Sequence, residues 1–141
     1  MRRIIYQSTA SAGMDRAELF RLVYHARVAN DRKGLSGFLL FVDQRFLQVL
    51  EGEAWTLMAT FDQIRRDVRH CDVKVIDERS IPAAKFAAWR MHCFAEQEVA
   101  GALEKMTIAA SGPVPDYVTE AVQAFFSDDC VKADRLLLHP E

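Results

Sequence analysis

The feature that most limits what this chain can fold into is a change of hydrophobic period that occurs twice. Residues 2–9, Arg-Arg-Ile-Ile-Tyr-Gln-Ser-Thr, alternate as a strand does, with Ile4, Tyr6 and Ser8 on one face. After a Ser-Ala-Gly loop at 11–13 the period becomes helical. Leu19, Leu22, Val23, Ala26 and Asn30 share a stripe, opened by Asp15 with Glu18 three residues on and closed by Gly34. Two adjacent strand patterns follow, 35–42 and 45–51, around Asp43-Gln44, a turn without the favoured glycine. A second helical stripe, Leu57, Met58, Phe61, Ile64 and Val68, covers 53–68. Strand patterns at 72–79 and 88–95 come next, separated by Ile81-Pro82. In the last strand Trp89, Met91 and Cys93 are expected on one face, and Arg90, His92 and Phe94 on the other.

The order β-α-β-β-α-β-β, with helices separated by a β-hairpin, predicts an α+β ferredoxin-like sheet. Right-handed crossovers then place both helices on one face. The rest of the chain predicts two helices, 97–106 and 114–134, around a Ser-Gly-Pro break at 111–113. The second carries Tyr117, Val118, Ala121, Val122, Phe125 and Phe126 as an apolar stripe, suited to the sheet face left open by the first two helices. Two units are therefore expected: a sheet domain over 1–96 and a helical extension over 97–141.

Composition narrows the function classes. Half of the 141 residues are hydrophobic and 27% are charged, which is globular composition and excludes disorder. No apolar run approaches the roughly 18–20 residues of a membrane span. The opening Met-Arg-Arg-Ile-Ile-Tyr turns polar too early for a signal peptide, so a cytoplasmic location is expected. Cys71, Cys93 and Cys130, with His25, His70, His92 and His139, lack the spacing of a disulfide framework or a metal site. Residues 1–96 hold 15 lysines and arginines against 12 acids, whereas 97–141 hold 3 against 8. The arginine-rich part suits an anion. It is too weakly basic for a nucleic-acid footprint.

Polar side chains on apolar faces are the informative departure. Asn30 lies on the buried stripe of the first helix, Tyr6 beside Ile4, and Gln48 between Phe46 and Leu50. A buried amide costs free energy unless it finds several hydrogen bonds. Two amides and a phenol directed under two helices point to a polar ligand there. Each has a plainer structural role: a core tyrosine, a helix-capping asparagine, an edge-strand glutamine.

Together these residues resemble the BLUF domain, a blue-light sensor module that uses FAD. The resemblance covers about residues 2–95. It rests on Ile-Ile-Tyr-Gln-Ser, on Asn30-Asp-Arg-Lys-Gly-Leu-Ser-Gly37, on Arg45-Phe-Leu-Gln-Val-Leu-Glu-Gly52, on Asp67-Val-Arg-His70 and on Trp89-Arg-Met91. The resemblance implies that Tyr6 is the electron donor to photoexcited flavin and that Gln48 bridges the phenol to the ring. It implies that Asn30 holds the ring's polar edge and that Asp67, Arg69 and His70 lie near its pyrimidine edge. Gln63 falls at a variable ring-contact position, Arg27 is placed to meet phosphate, and Trp89 and Met91 would relay the state of Gln48. FAD is the implied cofactor, with FMN the other candidate. Ser36 stands where the family usually has threonine, and Ala29 where several members place a second polar residue.

The implied activity is light-driven electron and proton transfer from Tyr6, after which Gln48 rearranges by rotation or tautomerisation. The change would pass through the fifth strand and the C-terminal helices. No output enzyme is expected within the chain. The implied partner is a separate protein such as a cyclic-dinucleotide phosphodiesterase or a transcriptional regulator, with self-association, and without nucleic acid or membrane. Acylphosphatase shares the ferredoxin-like plan but needs an arginine in the loop after the first strand, and residues 9–14, Thr-Ala-Ser-Ala-Gly-Met, have none. A second alternative is a light-silent ligand-binding or assembly module of the same fold, and a third is flavin redox enzymology, which would need a substrate pocket beside flavin N5, where the resemblance places Gln48.

Overall fold

The computed structural model describes residues 1–138, without the side chains of 96–97 and 128–138. The Cys130 side chain, His139 and the end of the expected extension lie outside the described residues. The elements are β1 (Arg2–Ala10), α1 (Arg16–Lys33), β2 (Ser36–Val42), β3 (Arg45–Gly52), α2 (Ala54–Arg65), β4 (His70–Ser80) and β5 (His92–Ala95). A 3₁₀ turn (Glu96–Gly101), α3 (Ala102–Ala109) and α4 (Asp116–Leu138) follow. The sheet order is β4-β1-β3-β2-β5, antiparallel except where β5 runs parallel to β2. This is the ferredoxin-like arrangement, α+β, extended by one strand.

Local chemistry accounts for the boundaries. Asp15 caps α1 by accepting the Glu18 amide at 2.8 Å, and Gly34 ends it in the left-handed region at φ 69°. The β2–β3 turn puts Asp43 and Gln44 at φ 52° and 62°, as a tight hairpin turn of this twist requires even without glycine. Gly37 is different: a Cβ there would lie 1.9 Å from the Val49 carbonyl oxygen of the neighbouring strand, so no side chain fits.

The sheet separates two cores. On one face Ile4, Tyr6, Leu39, Phe46 and Leu50 pack against Leu19 and Val23 of α1 and Leu57 and Phe61 of α2. On the other, Ile5, Phe38, Leu40, Leu47 and Val49 meet Phe86, Phe94, Met106, Val118, Val122 and Phe125. The tail therefore covers the open sheet face with the stripe that its spacing predicts. Among the described residues no helix is long and apolar enough to cross a membrane.

Three expectations need correction. α2 stops at Arg65, and Val68 is 86% exposed rather than part of its stripe. The chain turns because Asp67 accepts the Arg69 amide at 2.9 Å, a local side-chain bond that competes with helix. β5 begins at His92, not 88, because Trp89 turns back to donate its amide to the Phe86 carbonyl at 2.9 Å. That turn also separates two residues expected on one face. Met91 and Cys93 pack toward α1 and α2, while Trp89 joins Phe86, His92 and Phe94 on the opposite side.

One buried polar cluster binds the second core. Arg3 and Glu51, cross-strand partners 1% and 0% exposed, are joined by two bonds of 2.9 and 2.6 Å. Glu51 also accepts the backbone amides of Lys85 and Phe86 at 3.1 and 2.9 Å, and Arg3 donates to the Tyr117 phenol of α4. Glu51→Ala leaves a buried guanidinium without its counter-charge and is expected to cost about 3–5 kcal/mol. Urea denaturation of the variant reads this, and a loss below about 1 kcal/mol would contradict the assignment.

Candidate functional site

A cavity of about 250 Å³ opens between α1, α2 and the sheet. Its walls are apolar where the helices contribute Leu22, Ala26 and Ile64 and the sheet contributes Leu39 and Phe46. Its polar residues come from five places: Tyr6 on β1, Gln48 on β3, His25, Asn30 and Lys33 on α1, Thr60 and Gln63 on α2, and Asp67, Arg69 and His70 at the entry to β4. This is room for a planar ring between apolar walls with hydrogen-bonding groups at its edge.

The floor is set by strand register. Tyr6 of β1 lies directly opposite Gln48 of β3. The buried Tyr6 hydroxyl donates to Gln48 Oε1, and Gln48 Nε2 donates to Met91 Sδ at 3.5 Å. Thus one amide joins a phenol to a thioether, with little water to compete. Burial pushes the Tyr6 pKa well above the usual phenol range, and the nearby Asp67 charge adds to it. The phenol is neutral at ordinary pH. Its ring meets Phe61 at 5.3 Å and the edge of His70 at 6.3 Å.

The rim is more polar. Arg69 clamps Asp67 through Nε and Nη2 at 3.0 and 2.6 Å. These bonds hold the Asp67 carboxyl below the ordinary range. His70 Nε2 faces the Ile64 carbonyl at 2.5 Å and Nδ1 faces the Ser8 hydroxyl at 2.8 Å. A carbonyl only accepts, so Nε2 carries a proton, and His70 presents its ring rather than a nitrogen to the cavity. Asn30 is 4% exposed and donates through Nδ2 to the Arg90 carbonyl at 2.6 Å. It is not the helix cap, a part that Gly34 plays.

The structure brings together Tyr6, Asn30, Gln48, Gln63, Asp67, Arg69, His70 and Met91. It does not bring Arg27, expected at a phosphate: Arg27 Nε is held on the Met91 carbonyl at 2.8 Å. Nor does Trp89 line the cavity. His25, Lys33 and Thr60, which were not among the expected site residues, do line it, and Lys33 Nζ reaches Thr60 Oγ1 at 3.2 Å across the two helices. Helical spacing carried that signal, since 26, 30 and 33 share a face of α1, and 60, 64 and 67 continue one from α2. Cys93 is kept as a thiol, its pKa pushed up to about 11 by burial.

The family profile described as "BLUF: Sensors of blue-light using FAD" matches residues 1–92. This chain belongs to the BLUF family. BLUF proteins use FAD, and the cavity's apolar walls and amide-lined edge fit a flavin ring. The chain is 28% identical over 124 residues to the photoactivated adenylate cyclase subunit beta of Euglena longa, a stretch that is 88% of this chain and 14% of that protein. Among solved structures it resembles Klebsiella pneumoniae BlrP1 with FMN and cyclic diGMP. The TM-score is 0.80 at 31% identity, over 91% of this chain and 35% of that one. It also resembles the dark state of the BLUF protein BlrB, with TM-score 0.72 at 26% identity, over 90% and 96% of the two chains. The chain thus spans about a seventh of the cyclase subunit and about a third of BlrP1.

The buried BLUF tyrosine has a measurable consequence. Unfolded, its phenol ionises near pH ~10. Folded, it holds its proton to higher pH, so above pH ~10 the unfolded state binds fewer protons and stability falls as pH rises. The Tyr6 contribution is about 1.4 kcal/mol lost per pH unit in that window, and absent below it. Urea denaturation of the wild type and of Tyr6→Phe between pH 8 and 11 should show the steeper decline only in the wild type.

Proposed function

We propose that this chain is a blue-light photoreceptor in which FAD, or FMN in its place, binds non-covalently between α1 and α2 while Tyr6 and Gln48 carry out the photochemistry. The observation behind this reading is the shared amide: Tyr6 hydroxyl on Gln48 Oε1, with Met91 Sδ 3.5 Å from Nε2. Bound flavin absorbs blue light and its excited state oxidises a nearby phenol. Tyr6, kept neutral by burial, has a proton to lose with the electron, and Gln48 Oε1 is already in line to take it. The electron and the proton then return to Tyr6, and Gln48 is left with its partners exchanged, by rotation or by tautomerisation. Asn30 and Gln63 hold the polar edge of the ring, the Asp67–Arg69 pair and His70 close its rim, and Leu22, Ala26 and Ile64 keep water out.

Output starts at Met91, whose sulfur meets the rearranging amide. It continues along the backbone to Trp89, which packs against Phe38 and Phe86 under the tail helices. We assign residues 1–96 to sensing and 97–141 to cap and output, with no output enzyme in this chain. The partner is a separate protein, a cyclic-dinucleotide phosphodiesterase or a transcriptional regulator, met by a self-associated receptor. A cyclic-nucleotide enzyme is the first class to test, because the Euglena relative is a cyclase subunit and BlrP1 was solved with cyclic diGMP.

Absorption spectra before and after blue light test the reading. The wild type should be yellow and show a small reversible red shift, and Tyr6→Phe should be yellow without it. Met91→Ala should keep the shift while the light response of the tail, read by hydrogen exchange, falls. A protein that takes up no flavin, or a yellow wild type without a shift, would favour the light-silent binding module instead.

A further inference from the structure

The stretch 89–91 is neither strand nor helix, yet its three carbonyls are each engaged. The Trp89 carbonyl accepts the Gly37 amide at 2.9 Å, the Arg90 carbonyl accepts Asn30 Nδ2 at 2.6 Å, and the Met91 carbonyl accepts Arg27 Nε at 2.8 Å. Two of these three donors are side chains of α1, one turn apart. The Met91 side chain is 1% exposed, and its sulfur faces Gln48. A thioether is a weak acceptor on a flexible stem, so the Gln48 contact cannot by itself decide where that sulfur sits. The backbone decides it, and the charged donor on the Met91 carbonyl is Arg27. A guanidinium on a carbonyl is stronger than a neutral bond.

We infer that Arg27 is a positioning residue: it anchors the Met91 backbone from α1, keeps the Met91 sulfur against Gln48 as one wall of the amide's cage, and thereby sets how fast Gln48 returns to its dark orientation. The inference rests on the photochemical reading above for its consequence, though not for its geometry. Arg27 touches neither Tyr6 nor Gln48 and does not line the cavity. Arg27 is an exposed residue, so removing its side chain opens no core.

The test uses the full flavin-loaded chain as wild type, Arg27→Ala and Arg27→Lys. Two quantities are read: the dark-recovery rate of the red shift, and the rate at which dilute hydrogen peroxide oxidises Met91 in the dark, followed by mass spectrometry. Arg27→Ala should keep flavin loading and the red shift. Recovery and Met91 oxidation should both rise roughly fivefold, the factor carried by one hydrogen bond of ordinary net strength. Arg27→Lys still donates to the carbonyl and should restore both in large part. A merely structural role would lower the melting temperature and leave recovery unchanged. Wild-type rates for both quantities in Arg27→Ala would overturn the inference. Weaker flavin binding, with unchanged recovery in the molecules that still hold flavin, would do so too, by returning Arg27 to a phosphate role. If the wild type shows no red shift, the photochemical reading fails and the kinetic consequence with it. Dark oxidation of Met91 then still decides whether Arg27 is the anchor.

Discussion

Everything in this molecule hangs on the register between its two central strands. β1 and β3 pair so that Tyr6 faces Gln48 on one side of the sheet and Arg3 faces Glu51 on the other. A slip of β1 by one residue would send Tyr6 and Arg3 to the wrong faces and part each from its β3 partner, because the side-chain period of a strand is two. The phenol would enter the core under the tail helices without Gln48, and the Arg3 guanidinium would enter a cavity with apolar walls without Glu51. Both misplacements leave polar groups unsatisfied in a dry interior, at a cost of several kcal/mol in a molecule whose whole stability is about 5–15 kcal/mol. The polar pairs that serve the site therefore also specify the pairing that builds it.

The connector between β4 and β5 is where the two faces meet. Its Lys85 and Phe86 amides end on Glu51, a β3 residue three positions from Gln48 and on the opposite face. Its 89–91 carbonyls end on β2 and α1. Arg3 carries the Glu51 cluster on to Tyr117 of α4, and the Arg79 guanidinium lies 3.4 Å from the centre of the same ring. Met91 thus belongs to a segment bonded at its other end to the strand bearing Gln48 and, through Glu51 and Arg3, to the first turn of α4. Packed, fully bonded segments of this kind move between discrete arrangements rather than deforming continuously.

Sequence legibility followed the same physics. Alternation and helical spacing exposed Tyr6, Asn30 and Gln48 because each is a polar residue at an apolar position, and the structure gathers all three at one cavity. The hairpin and the limits of α1 were legible because their signals are local: Asp15, Gly34, Asp43-Gln44. Non-local bonds hid the rest. Nothing local to Arg27 shows that docking α1 sets its Nε on the Met91 carbonyl. Trp89 reads as a strand residue until the turn on Phe86 is formed. Arg3 and Glu51 carried no signal of their own, because alternation assigns each charge a face without showing that the other stands opposite it.

The choice of a thioether beside Gln48 bears on how a switch of this kind can work. An amide fixed between two strong partners would have one orientation, and an amide with none would be destabilised by burial. Here one end of the Gln48 amide meets a phenol and the other a sulfur, a weak acceptor. Under the proposed photochemistry the two orientations then differ by about one good hydrogen bond against one poor one, on the order of 1–3 kcal/mol. A gap of that size keeps the dark orientation dominant at roughly 85–99% and leaves the other within reach of the energy a photon delivers. A stronger acceptor at position 91 would widen the gap and hold the amide in place. An aliphatic residue would leave Nε2 unpaired and narrow it. Methionine is the compromise, and its usefulness depends on being held where Gln48 can find it.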